Sequence, residues 1–220
     1  MAASGLSLVG FVLLHLLGNL SLYLPDKNIF NAYANGLEGL GLILKVMEVG
    51  LLAVFVLHFG LGLALKIANR RARPVGYEAS LQSKGGDNRN SFSARTMAVS
   101  GVLLLAFLIL HIWQFRLGPG ITENYVTLIE GQTIRDLYRL VQETFQNPLF
   151  VAIYAVAMVV LGLHLRHGIW SAFQSLGVLT DRNSGALYRL ALVLAVGLAA
   201  GFFFIPLWLF FQVPAYLSIY

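Results

Sequence analysis

The sequence predicts an all-α integral membrane bundle of five transmembrane helices, with the N-terminus cytoplasmic and a short interfacial helix in the third connector. Three observations lead there. First, 58% of the 220 residues are hydrophobic and 11% are charged, against roughly 25% charged in a soluble domain. Second, the apolar residues gather into five uncharged stretches long enough to cross about 30 Å of hydrocarbon at 1.5 Å per residue. Third, the charges are sorted between alternate connectors. The formal net charge is +5, and its sidedness says more than its sum. The chain has no cysteine, which excludes disulfides, thiolate iron-sulfur ligation and a cysteine nucleophile.

The uncharged stretches lie within Met1 to Pro25, Val49 to Leu65, Thr96 to Phe115, Thr144 to Leu165 and Leu190 to Phe211. With their interfacial turns they predict spans over 4–24, 46–66, 96–116, 147–175 and 187–211. The first has no basic n-region and no A-x-A site, so it reads as a retained helix. The second is the shortest and reaches across because Lys66 can snorkel while Glu48 sits at the interface.

Connectors two and four hold ten of the fifteen basic residues and three of the ten acids; connectors one and three hold five basic residues and seven acids. The positive-inside rule then places connectors two and four in the cytoplasm, and connectors one and three and the C-terminus outside. In the third connector, Ile134, Leu137, Leu140, Val141 and Phe145 recur at helical spacing among Arg135, Asp136, Arg139 and Glu143, which suits a helix lying on the interface. Residues 83–91 read as a flexible loop. No soluble domain and no internal repeat is evident.

All five histidines fall in or just past the apolar stretches: His15, His58, His111, His164 and His167. Polar side chains at membrane depth are costly and face the bundle interior with a partner, and a neutral imidazole nitrogen is a good iron ligand. Counting 1.5 Å per residue from the charged ends puts His111 roughly 24 Å and His15 roughly 21 Å above the cytoplasmic boundary, His58 about 12 Å and His164 roughly 6 to 10 Å. Two pairs result, His15 with His111 and His58 with His164, and each could hold one haem iron between two imidazoles. Structural histidines in hydrogen-bonded packing are one alternative, and a haem-free transporter or proton channel is another. Gly62 and Gly168 follow His58 and His164 by four residues, one turn on along the same face. They suit a flat macrocycle, although Gly60, Gly62, Gly162 and Gly168 equally suit close helix packing.

The runs His15-Leu-Leu-Gly-Asn-Leu20, Ser91-Phe-Ser-Ala-Arg-Thr-Met97, His111-Ile-Trp113 and His164-Leu-Arg-His-Gly-Ile-Trp-Ser-Ala-Phe-Gln-Ser-Leu-Gly177 resemble the dihaem cytochrome b558 membrane subunit of succinate dehydrogenases, a type shared with some fumarate reductases. The resemblance covers nearly the whole chain, so residues 1–220 read as one transmembrane cytochrome b domain. It implies two b haems, one on His15 and His111 (distal) and one on His58 and His164 (proximal), and it selects His164 over His167 because the family's fourth-span ligand precedes a glycine by four residues. His167 is left to a haem propionate or the interface. The resemblance further implies a flavoprotein subunit and an iron-sulfur subunit as partners, with a higher oligomer of the complex open. The quinone is usually menaquinone in dihaem members, and the home is a bacterial cytoplasmic membrane, in contact with lipid and with no nucleic-acid partner. This chain would transfer electrons and reduce quinone without binding the dicarboxylate.

A related alternative is the cytochrome b subunit of a hydrogenase or formate dehydrogenase. Quinone candidates are Asn19, Glu38 and Gln114 if the site lies by the distal haem, and Ser93 and Arg95 if it lies at the cytoplasmic end. Some family members carry a carboxylate just before the fourth-span ligand as a proton relay. Here the neighbours are Leu161, Gly162 and Leu163, so that role does not carry over.

Overall fold

The computed structural model describes residues 1–72 and 96–212. Five of its helices are long and apolar enough to cross a membrane, which makes the chain a multi-pass membrane protein. Helix α1 (Ala2–Asn19) continues through one 3₁₀ turn to Tyr23. It stops there because Leu24 precedes Pro25 and takes the extended conformation that a following proline demands. Asp26 then accepts a hydrogen bond from the Asn28 N–H at 2.9 Å and starts α2 (Lys27–Glu38). Gly41, at φ +54°, turns the chain into α3 (Leu42–Ala72). At 31 residues α3 is roughly 46 Å long, more than the hydrocarbon thickness, so it extends past the bilayer core, with Arg70 and Arg71 in its last turn.

Helix α4 (Met97–His111) runs into a π-helical turn, Ile112–Arg116, closed by the Leu117 N–H on the Ile112 carbonyl at 2.9 Å. Arg135 satisfies the carbonyls left over at this helix end, donating to Phe115 at 2.9 Å, Gly118 at 3.1 Å and Pro119 at 2.9 Å. The hairpin β1 (Val126–Ile129) and β2 (Gln132–Arg135) follows, antiparallel, with Ile129 opposite Gln132. Glu130 and Gly131 between them both have positive φ, as a two-residue hairpin turn requires. Helix α5 (Leu137–Phe145) is strongly amphipathic and buries Tyr138, Leu140, Val141 and Phe145, in keeping with the helix expected here. Ile134 is a correction: it belongs to β2, and its burial there follows strand alternation.

Two helices complete the bundle. Asn147 caps and Pro148 opens α6 (Pro148–Ser175), and Gly177, at φ +68°, turns the chain toward α7 (Ser184–Phe211). Helices α6 and α7 form the closest pair. Gly162 lets them meet, since a Cβ on it would stand 3.0 Å from the Ala199 Cβ. Helices α1, α3, α4 and α6 form a ring in which each packs on its two neighbours, α1 on α3, α3 on α4, α4 on α6 and α6 on α1, while α7 closes the outside against α6 and α1. Alpha3 is the loosest member, with no buried residue, whereas α6 buries seven.

One end of the ring is covered by α2, the hairpin and α5. Asn31, 2% exposed, ties this cover together. Its amide donates to Asp136 at 2.8 Å and its carbonyl accepts from the Tyr138 N–H at 2.8 Å, while Asp136 also caps α5. Loop 83–91 lies outside the described residues.

Candidate functional site: two histidine levels

The ring has two diagonals, α1 to α4 and α3 to α6, and each carries a facing pair of histidines. His15 and His111 stand with ring centroids 5.7 Å apart, and His58 and His164 stand 6.4 Å apart. All four are half-buried. His167, one turn beyond His164, is not in ring contact with His58; the ring opposite His58 is His164.

The two pairs lie at different depths, and two helices measure the distance independently. On α1, Ser4 touches His58 while His15 belongs to the other pair. On α4, Ser100 touches His164 while His111 belongs to the other pair. Ser4 to His15 and Ser100 to His111 are each eleven residues, almost three full turns, so each helix offers both residues on one face roughly 16 Å apart. The depths counted from the charged ends gave the same two levels.

The match extends further. Ser4, Gly5, Phe11 and His15 have the same spacing as Ser100, Gly101, Phe107 and His111, a pattern Ser-Gly-x5-Phe-x3-His carried once by α1 and once by α4. Gly5 lies against His58, where a Cβ would be 3.3 Å from Cε1, and Gly101 lies against His164, where it would be 3.7 Å from Cε1. His58-x3-Gly62 on α3 and His164-x3-Gly168 on α6 form a second matched couple. The α1–α3 half and the α4–α6 half thus repeat one arrangement of chemistry around the bundle centre. The expectation of no internal repeat is corrected at this level: the repeat lies in a handful of site residues and not in the sequence at large.

The surroundings of the two levels differ. The upper pair, next to the covered end, is wrapped in rings: Phe11 stacks on His15 at 5.4 Å, Phe202 lies 5.7 Å from it, and Phe107 and Phe115 lie 5.8 and 5.4 Å from His111. Tyr154, buried on α6, donates to the Gln114 side-chain carbonyl at 2.6 Å and lies 3.4 Å from His111 Nδ1. Asn19 donates to the His15 carbonyl at 2.8 Å, with the same nitrogen 3.5 Å from His15 Nδ1. The lower pair has serine hydroxyls in place of rings.

Two imidazoles sharing one metal through bonds of about 2 Å hold their ring centres roughly 6 Å apart, and both pairs are close to that. No group of three or more His, Cys, Asp or Glu side chains is placed to hold a metal among the described residues. A haem iron needs only two from the protein, because its ring supplies the other donors. The spacing of the two imidazoles in each pair therefore suits a haem iron. The glycines divide as well. Gly60 and Gly168 face open space, Gly62 faces Met1, and Gly162 serves helix packing.

Gln114 is buried against Tyr154, and Asn19 sits beside His15. Glu38 is exposed and pairs with Arg116 at 3.1 Å, and Arg116 also grips Glu48 at 2.7 and 3.3 Å. Ser93 and Arg95 lie outside the described residues. Ser4, Ser100 and Tyr154 escaped the sequence reading. The repeated Ser-Gly spacing ahead of His15 and His111 was the available signal for the first two, and a tyrosine at mid-span, whose hydroxyl must find a partner, was the signal for the third. The chain matches no family model, no curated protein and no solved structure.

Proposed function

We propose that the chain is the dihaem cytochrome b membrane subunit of a succinate:quinone oxidoreductase, with His58 and His164 holding one b haem and His15 and His111 the other. The observation that carries the reading is the pairing of four histidines across two diagonals of one ring, at two depths roughly 16 Å apart. The sequence resemblance to the cytochrome b558 subunit supplies the rest. Held there, two b haems would supply one-electron redox chemistry between an iron-sulfur subunit and quinone. The chain's own residues bind and orient them. Each diagonal supplies one imidazole from each side, and His15 with His111 and His58 with His164 would hold the two irons between them. The rings around His15 and His111 exclude water from the upper level. Gln114 and Asn19 are the quinone candidates beside that level; Glu38, held by Arg116, is the acidic one.

On this reading the flavoprotein subunit handles the dicarboxylate, and the bacterial cytoplasmic membrane is the setting, with the His58 and His164 end toward the cytoplasm. Two measurements test it. The dithionite-reduced minus oxidised spectrum of the purified chain should show b-type bands, with two haem b per chain by pyridine haemochrome. A tagged chain should also bring down a flavoprotein and an iron-sulfur protein. A chain without haem overturns the reading; haem with a nickel or molybdenum enzyme as partner transfers it to another redox complex.

A further inference from the structure

Each imidazole of the lower pair faces a serine hydroxyl at its Nδ1. Ser100 donates to the Met97 carbonyl at 3.0 Å, and its oxygen is 3.0 Å from His164 Nδ1. Ser4 donates to the Met1 carbonyl at 3.0 Å, and its oxygen is 3.4 Å from His58 Nδ1. A hydroxyl has one proton and two lone pairs. With that proton given to the helix carbonyl three residues back, each serine oxygen is left as an acceptor, and an Nδ1–H is the ring state that completes the contact; the other tautomer requires the hydroxyl to turn from the carbonyl to Nδ1. A neutral imidazole with its proton on Nδ1 has its lone pair on Nε2. Tyr154 repeats the logic one level up, giving its proton to Gln114 and standing as acceptor toward His111 Nδ1.

We propose that Ser4 and Ser100 are positioning residues that fix His58 and His164 as Nδ1–H tautomers and so present Nε2 of each for metal ligation. The role presupposes the two-haem reading above. Its support is independent of any cofactor: the same Ser-Gly pair recurs on α1 and α4, in each case set against the lower histidine of the neighbouring helix. The serine holds the ring from one edge, and the glycine beside it leaves room for the ring to lie close. An acceptor on Nδ1–H also gives the imidazole more electron density, which favours the oxidised metal. At His15 the Asn19 amide nitrogen donates to the His15 carbonyl at 2.8 Å and, at 3.5 Å from Nδ1, does not set the tautomer.

The test uses the full chain with Ser100→Ala and Ser100→Thr, titrating both haems by reduced-minus-oxidised spectra. Ser100→Ala should raise the potential of the His58–His164 haem, leave the other haem unmoved, and weaken retention of the first by about 10-fold. Ser100→Thr, whose hydroxyl can also donate back along the helix, should restore both. An unmoved potential with both haems loaded overturns the role, as does an equal shift in the two variants.

Nitrogen-15 spectra of histidine-labelled, haem-free wild-type chain decide the case if Ser100→Ala does not assemble. Protonated Nδ1 at His164 supports the role and protonated Nε2 overturns it. A wild-type chain that binds no haem fails the two-haem reading instead, while the nitrogen-15 spectrum still decides the tautomer.

Discussion

The two histidine levels present the same facing pair of imidazoles in unlike settings. The lower pair is bracketed by matched serines on α1 and α4, and its helix α3 has no buried residue. The upper pair is packed among Phe11, Phe107, Phe115, Phe202 and Tyr154, beneath a cover welded by Asn31 and Asp136. A repeated ligand pattern therefore does not mean a repeated environment. The lower level is bounded by the serines and glycines of α1 and α4, whereas the upper level is bounded by aromatic packing and a hydrogen-bond network. The two should respond to different substitutions.

On the two-haem proposal, the largest effect is expected from the histidines assigned as ligands. His164→Ala should remove one haem and His167→Ala should leave both, as counted by pyridine haemochrome. A bulky group in the lower gap comes next. A Cβ on Gly101 would meet His164 Cε1 at 3.7 Å, an ordinary contact, so Gly101→Ala should be tolerated. Gly101→Val places methyls beyond that Cβ and should deplete the lower haem while the upper is kept, seen as loss of one component in a redox titration. Tyr154→Phe acts on the other level. It leaves the buried Gln114 carbonyl and His111 Nδ1 short of a partner, at a cost of about 1 to 3 kcal/mol. Thermal unfolding in detergent should show that loss, and the redox titration should show a shift confined to the upper haem. Smallest is Glu38→Gln. The pair with Arg116 is exposed on both sides, Glu48 remains, and pairs of this kind contribute about 0.2 to 1 kcal/mol. Its effect on thermal unfolding should be slight and should shrink further with added salt.

The five spans were legible because charge is excluded from lipid in a way that no local packing overrides. The two levels were legible because helical rise converts residue number into depth. Helix α2 was not, since its polar sequence is held by the contact of Asn31 with Asp136, 105 positions away, which no local pattern contains. The hairpin was missed because four-residue strands offer too few positions to separate a period of two from a helical one, and Ile134 fits both. The serines were missed for a different reason. A serine in an apolar helix usually needs only its own carbonyl, and nothing in the local sequence says that its oxygen meets an imidazole on another helix. The doubled Ser-Gly spacing carried that information, but only once His58 and His164 were placed beside it.

The diagonal pairing is tested most directly by crossing ligand substitutions and counting haem per purified chain. His15→Ala with His111→Ala removes both ligands of one site, and the double variant should still hold one haem, at the potential of the lower site. His15→Ala with His58→Ala removes one ligand from each site and should hold none. Equal haem content in the two double variants would contradict the pairing.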